Sequence, residues 1–153
     1  MEVTDFVGKV YKLEKLENSE EFCQFMGYKN SKKRRFEADH TVVLKNGCCG
    51  QYEFITKSKF TTSMCSVRPG RKFCGFSLNN GINYNEIRFK ENCLICIQKG
   101  RKEIKTIREF YKDCMILTIT CDNVEAKKIY KAVGTNKSLL EFNLRCVREN
   151  NLV

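Results

Sequence analysis

The chain has 153 residues, which is enough for one domain that buries roughly 70% of the surface of its unfolded chain. Its composition, 42% hydrophobic and 30% charged, excludes a disordered chain, a collagen-like repeat and a coiled coil, because each needs a strongly biased composition. No apolar run approaches the roughly 18 residues of a transmembrane helix. Lys and Arg number 28 against 18 Asp and Glu, and the net charge of +10 favours contact with nucleic acid or an acidic membrane surface.

The first predicted elements are one strand and two helices. Alternating apolar residues predict a strand across residues 6–13. Asn18 or Ser19 can cap a following helix, whose acidic first turn suits the helix dipole and which ends at Gly27. A second short helix is predicted across residues 30–38.

From Asp39 onward the chain has short β-rich runs separated by turn signals about every ten residues, a spacing typical of an antiparallel meander. Asn46-Gly47 is the strongest signal, since a type I′ turn needs positive φ at both positions. With eight or nine strands after the helices, the pattern predicts a closed up-and-down β-barrel with a helical cap, because closure leaves no exposed edges.

The carboxyl-terminal residues 138–147 fit two templates. Leu140, Phe142 and Leu144 alternate with polar residues, as in a strand. Ser138 and Glu141 form a capping-box pattern, as at the start of a helix. The pattern does not decide between them.

A basic run lies between Glu21 and Glu37, a stretch without any acidic residue. It consists of Lys29, Lys32, Lys33, Arg34 and Arg35. A solvated surface, a nuclear-import signal and a nucleic-acid patch all fit such a run. Only Tyr28 and Phe36 flank it as aromatic residues, and a single-strand groove needs stacking platforms, so we do not expect nucleic-acid binding.

The ten cysteines are expected to be reduced thiols of a cytosolic chain, because the acidic residues 1–5 lead into no secretory signal. Cys93 and Cys96 have the spacing of a zinc knuckle, but in a strand-like run residues three apart point to opposite faces. We therefore expect neither a metal nor a cofactor. No nucleophile elbow or phosphate loop is present, and His40, the single histidine, has no nucleophile near it in the sequence. The sequence therefore predicts a protein that is not an enzyme.

Polar residues stand at positions that alternation can place inside the barrel. Thr106 and Arg108 share one strand face, and so do Lys128 and Tyr130. If they point inward, two cations and a phenol meet in an apolar lumen, where a ligand carboxylate would offset the cost of burying the charges. Alternation alone slightly favours the outer, solvated face.

A series of short motifs occurs in the order seen in the intracellular fatty-acid-binding protein family, which includes the cellular retinoid-binding proteins. The motifs are Phe6-Val7-Gly8, Ser19-Glu20-Glu21-Phe22, Lys45-Asn46-Gly47, Ser58-Lys59-Phe60, Gly70-Arg71-Lys72-Phe73, Gln98-Lys99, Ile107-Arg108-Glu109, Met115-Ile116-Leu117-Thr118 and Lys128-Ile129-Tyr130. The chain resembles this family over residues 6–133, and the match from Arg108 to Tyr130 needs no gap.

The resemblance implies a ten-stranded barrel over residues 1–133, with a helix–turn–helix lid at about 19–38 and a cavity for one or two lipids. Residues 134–153 form an extension outside the family pattern. The family binds the ligand carboxylate with an arginine on one late strand and an Arg-x-Tyr on the last. Arg108, Lys128 and Tyr130 match these positions, with lysine in place of arginine at 128.

Further family positions surround the cavity. Phe22 matches the lid aromatic and Phe60 the portal aromatic, while Thr106, Leu117 and Ile119 are expected to line the cavity. The lid is shorter and more basic than is usual in the family.

The sequence thus predicts a non-enzymatic carrier that binds long-chain fatty acids and transfers them between membranes. We expect a cytoplasmic monomer, with the nucleus as an alternative location. The basic run, Lys29 to Arg35, would dock transiently on anionic lipid. Two alternatives stay open: a carrier of retinoids or other hydrophobic ligands in the same fold, and a basic interaction module with an empty cavity.

Overall fold

The computed structural model describes residues 1–59, 62–68, 70, 72–77 and 81–135, with the backbone alone for 72–77 and 81–84. A short 3-10 helix at Val3–Phe6 precedes the first strand, and helices α1 (Ser19–Met26) and α2 (Ser31–Glu37) follow it. The strands are β1 (Val10–Glu17), β2 (Thr41–Asn46), β3 (Tyr52–Lys57), β4 (Thr62–Val67), β5 (Lys72–Ser77), β6 (Gly81–Lys90), β7 (Cys93–Lys99), β8 (Glu103–Phe110), β9 (Cys114–Cys121) and β10 (Val124–Gly134).

The ten strands form one antiparallel sheet in the order β4-β3-β2-β1-β10-β9-β8-β7-β6-β5. Strands β2 to β4 and β5 to β10 pair with their sequence neighbours through short connections, and β1 pairs with β2 across the two helices. The first strand, β1, also pairs with the last, β10. Only β4 and β5 have no mutual pairing within the described residues, so the barrel is nearly closed. The predicted up-and-down barrel with a two-helix cap, hereafter the lid, is confirmed.

The first strand lies further along the chain than predicted, which corrects the expectation for residues 6–13. Gly8 has φ of +87°, which interrupts an extended chain, so β1 begins only at Val10. Upstream, the backbone N–H of Glu2 donates to Asp5 Oδ2 at 2.7 Å, and Val3 and Phe6 are buried on the same side of one 3-10 turn.

Helix α1 begins and ends where the sequence predicted, but the expected side-chain cap at its start is not formed. At Gly27 a left-handed conformation lets the backbone N–H donate to the carbonyls of Cys23 and Gln24. Asn18 stands at the N-cap without a side-chain cap, and its amide instead donates to the carbonyl of Glu125 on β10 at 2.7 Å. This residue therefore fastens the lid to the barrel.

Aromatic rings pack against one another in the core at the end of the barrel opposite the lid. Phe6 stacks on Phe110 at 5.9 Å between ring centroids, and Tyr11 contacts the same ring edge-on at 5.9 Å. None of the helices in the described part of the chain is long and apolar enough to span a membrane.

Candidate functional site

The strand register brings the three polar residues to one level of the inner wall. Arg108 on β8 lies opposite Leu117 on β9, and Leu117 lies opposite Lys128 on β10. Tyr130 is two residues further along β10 and therefore faces the same side. Leu117 and Tyr130 both belong to the buried core cluster, so this face is the inner one.

Arg108 has a donor without an acceptor. Its guanidinium carbon lies 4.3 Å from the centroid of the Phe54 ring, and the Tyr130 hydroxyl lies beside the guanidinium. Its Nη1 atom is buried and has no hydrogen-bond partner within the described residues. Burial lowers the pKa of Arg108, while Tyr130 opposes this effect. A buried cationic donor without an acceptor is costly, and an anionic ligand atom would satisfy it.

Tyr130 supplies a neutral hydroxyl beside this cation. Its side chain is 2% exposed. Burial raises the pKa of Tyr130, and the neighbouring Arg108 opposes the rise. The phenol therefore stays protonated at neutral pH and can donate to a ligand oxygen.

Lys128 reaches the lid. It is 5% exposed, its Nζ donates to the backbone carbonyl of Phe36 in α2, and it lies 4.0 Å from the centroid of the Phe36 ring. Burial, followed by the charge of Arg108, lowers the pKa of Lys128 to about 8, while Cys23 and Glu37 act in the opposite direction. The ammonium is thus charged at neutral pH in an unfavourable environment.

The remaining predicted cavity residues line the same wall or the lid. Leu117 and Ile119 are buried, and Thr106 is half-buried opposite Cys96 on β7. Phe22 is 1% exposed and stacks on Phe36 at 5.4 Å. The predicted portal residue Phe60 lies outside the described residues.

His40 stands beside the two cations, which the sequence analysis did not foresee. It precedes β2, two residues before the buried Val42, and its carbonyl accepts from the backbone N–H of Leu13 at 2.8 Å. Burial, then the charges of Lys128 and Arg108, lowers the pKa of His40 to about 4, with Asp39 opposing. The sequence did contain one signal for this position: His40 alternates with Val42 and Leu44, so all three lie on the same face of the strand.

Two other residues near Arg108 were missed. Phe54 on β3 supplies the ring beneath the guanidinium, and Cys65 on β4 pairs with Phe54 across the sheet. Both belong to the wall that faces Arg108 across the lumen. Sequence spacing carries no signal for contacts of this kind, because they depend on how the barrel closes.

The basic run lies on and just before α2. Lys29, Lys32, Arg34 and Arg35 are exposed, whereas Lys33 pairs with Glu20 of α1 at 2.6 Å. A pocket of about 440 Å³ opens at the end of α2 beside the β3–β4 connection. It is lined by Arg34, Glu37, Ala38, Asp39 and Lys59.

No protein-family model matches the chain, and no curated protein sequence matches it. Among solved structures, a fatty-acid-binding protein from brain tissue of Drosophila melanogaster is 33% identical, with 83% of this chain and 99% of that chain covered and a TM-score of 0.76. The Schistosoma mansoni fatty acid binding protein in complex with arachidonic acid is 20% identical, with 86% and 98% covered and a TM-score of 0.76.

Human cellular retinol-binding protein IV is 16% identical, with 80% of this chain and 94% of that chain covered and a TM-score of 0.69. At this identity, as for the Schistosoma protein, the likeness shows the fold alone. The Drosophila protein is matched over nearly its whole length at 33% identity, and it shares the fold of this chain at a TM-score of 0.76. As the ordered motifs predicted, the chain belongs to the fatty-acid-binding protein family.

Proposed function

We propose that this protein is a non-enzymatic carrier that binds a long-chain fatty acid inside the barrel and transfers it between membranes. The observation that carries the proposal is the buried Nη1 of Arg108, a cationic donor without a partner within the described residues. A ligand carboxylate supplies two acceptor oxygens for the forked guanidinium. The lipid-binding unit comprises residues 1–133, with 134–153 as an extension.

The polar groups hold the head group and the apolar wall holds the chain. Arg108 and the neighbouring Tyr130 hydroxyl together present donors to one carboxylate, while Lys128 adds a second positive group on the same face. Leu117 and Ile119 supply apolar contact on the neighbouring strand. His40 lies just before β2, on the other side of β1 from β10, and is a further polar residue near the two cations.

The magnitudes assign most of the affinity to the hydrocarbon chain. Burying a sixteen-carbon chain at about 0.8 kcal/mol per CH₂ contributes about 12 kcal/mol. Association and ordering cost about 4 kcal/mol or more. The remainder corresponds to roughly micromolar binding or better. The polar residues therefore chiefly orient the ligand and select its head group.

The related structures support a lipid as the ligand. The Drosophila relative is a fatty-acid-binding protein, and the Schistosoma protein was solved in complex with arachidonic acid. The exposed basic residues of the lid support transient docking on anionic membranes. A monomeric, cytoplasmic protein fits a carrier that exchanges lipid with membranes.

The test combines mass spectrometry of the organic extract from purified protein with displacement of a fluorescent fatty acid. We expect a bound fatty acid in the wild type. Arg108→Ala should weaken binding by about tenfold to a hundredfold, since hydrogen bonds to charged groups contribute about 1.5–3 kcal/mol. The control is Arg88→Ala, because Arg88 is an exposed arginine on β6 that pairs with Glu86. It should bind like the wild type.

A protein that carries no lipid and ignores fatty acids would contradict the carrier proposal. The basic surface of the lid would then be the region to pursue, in line with the interaction module.

A carrier of retinoids or other neutral lipids is the second candidate. It is favoured by the contact between Lys128 and the carbonyl of Phe36, which engages one of the two buried cations with the lid. Retinol that displaces the fluorescent probe as well as a fatty acid does, in both wild type and Arg108→Ala, would favour this candidate.

A further inference from the structure

Helix α2 is joined to the barrel wall through Lys128. None of the residues of α2 is buried. Several of its contacts lead to α1: Lys33 pairs with Glu20, Glu37 accepts a hydrogen bond from Ser19 at 2.8 Å, and Phe36 stacks on Phe22. Lys128, by contrast, connects α2 directly to β10 across 92 residues of sequence.

The contact uses two acceptors of Phe36 at once. The backbone carbonyl of Phe36 lies in the last turn of α2, where carbonyls lack a partner within the helix and favour a cation. The ring of the same residue presents its face to the ammonium at 4.0 Å, which adds a cation–π interaction. One side chain of the barrel wall thereby fixes both the backbone and the side chain of a lid residue.

A second positive charge repels the Lys128 ammonium in this position. Arg108 lies on the same inner face, with one intervening strand, and repels it. Glu37 and Cys23 of the lid act in the opposite direction, and His40 is neutral at physiological pH. A carboxylate beside Arg108 would cancel the repulsion and attract the ammonium into the lumen.

We propose that Lys128 couples the charge of the ligand head group to the lid: an acidic head group at Arg108 draws the ammonium away from the Phe36 carbonyl and releases α2, whereas a neutral lipid leaves the contact in place. The inference rests on the proposed function, since it needs a lipid inside the barrel. Lysine suits this role because its charge sits on a flexible four-carbon stem and can exchange between two acceptors. Acidic lipids then exchange through a loosened lid, and neutral lipids remain behind a fastened one.

The anchor is tested first without any ligand, by hydrogen–deuterium exchange of the amides of residues 31–37. Lys128→Met should speed exchange there by about tenfold or more, the expectation for losing a charge-assisted hydrogen bond. Lys131→Met is the matched control, because Lys131 is an exposed lysine of the same strand. It should exchange like the wild type. Unchanged exchange of residues 31–37 in Lys128→Met would overturn the anchor.

The coupling is tested in the wild type with two ligands of equal chain length, hexadecanoic acid and 1-hexadecanol. The acid should raise exchange of residues 31–37 towards the level of Lys128→Met, and the alcohol should leave it at the ligand-free level. Native mass spectrometry of the same samples shows whether each lipid is bound. Equal exchange with both lipids bound would refute the coupling, whereas absence of bound lipid would instead refute the proposed carrier function. This comparison needs no variant, so it holds even if Lys128→Met fails to fold.

Discussion

Arg108 combines a buried cationic donor with the absence of an acceptor for it within the described residues. The Phe54 ring and the Tyr130 hydroxyl offset part of the cost of burying the guanidinium. In the ligand-free protein the Nη1 atom makes no hydrogen bond within the described residues that would offset its loss of hydration. Buried polar groups of native proteins are nearly always paired. We therefore propose that Arg108 serves ligand binding at the expense of stability.

A direct consequence is that Arg108→Met should stabilise the ligand-free protein. Methionine fills much of the same volume without a charge, so we expect the free energy of unfolding to rise by up to about 2 kcal/mol. Urea denaturation of delipidated wild type and variant measures this change. A clear loss of stability would mean that the contacts of Arg108 with Tyr130 and Phe54 contribute more free energy than burying its charge costs.

His40 is a second residue whose environment opposes its charged form. Its pKa is about 4 in the folded protein and 6.5 in the unfolded chain, because burial and two nearby cations disfavour the imidazolium. Between these values the unfolded state binds the additional proton. The free energy of unfolding therefore falls as the pH falls from about 6.5 to about 4.

The test at this residue is His40→Gln, which removes the titration. The shift corresponds to about 3 kcal/mol at most, and since the imidazole is partly exposed to solvent we expect about 1–2 kcal/mol. Urea denaturation at pH 7 and pH 4.5 should show a smaller loss of stability in the variant than in the wild type. Equal losses would show that neither burial nor the nearby cations lower the pKa of His40 in the folded protein.

At the scale of elements, β10 and α2 share one buried ammonium. The pKa of Lys128 is about 8 in the folded protein and 10.5 in the unfolded chain. Above pH 8 the folded state releases the proton while the unfolded state keeps it. The contribution of Lys128 to the free energy of unfolding therefore rises with pH between about 8 and 10.5.

Between pH 7 and pH 9.5 the wild type should gain about 2 kcal/mol of stability relative to Lys128→Met. Comparing the two proteins by urea denaturation at both pH values cancels the titration of other groups. Lys131→Met, which removes an exposed lysine of the same strand, should show the wild-type pH dependence. A constant difference between wild type and Lys128→Met would show that Lys128 titrates normally.

The elements also show where local patterns suffice and where they fail. Gly27 ends α1, because this cap is decided by a few adjacent residues. The two-residue turn predicted at Asn46-Gly47 is wrong: β2 ends at Asn46, but β3 begins only at Tyr52, and the positive φ angles of this connection belong to Cys49 and Gly50. The start of β1 was misplaced, since Phe6 was read as the first residue of an alternating strand although it ends the 3-10 helix Val3–Phe6. Asn18 was expected to cap α1 but bonds Glu125, a residue far away in the sequence.

At the scale of the whole molecule, the net charge of +10 and the exposed basic residues of the lid predict docking on anionic vesicles. Each basic residue near the surface contributes about 1 kcal/mol, and salt screens the attraction. Replacing Lys32, Arg34 and Arg35 by Gln should therefore reduce binding to phosphatidylserine-containing vesicles, and raising the salt concentration should do the same in the wild type. Co-sedimentation with vesicles measures both effects.

The charge-matched control replaces Lys12, Lys112 and Lys131, which are exposed near the end of the barrel opposite the lid. This variant should bind vesicles almost as well as the wild type. Equal losses in the two triple variants would show that net charge, and not the lid, directs docking. Binding that is independent of salt would contradict an electrostatic contact.

Local patterns in the chain were sufficient for the barrel, the lid and the pair of strands that carry Arg108 and Tyr130. Alternation and turn residues act over a few positions, so they can be read directly from the sequence. The ordered motifs added the family, which the 33% identity to the Drosophila protein confirms.

Three features of the site were decided by the tertiary structure alone. These are the unpartnered Nη1 of Arg108, the contact of Lys128 with Phe36, and the position of His40 beside both cations. Alternation assigns a side chain to one of two faces, but it does not say which group lies across the lumen. That depends on barrel closure and on the placement of the lid, which bring together residues such as Phe36 and Lys128 from distant parts of the chain.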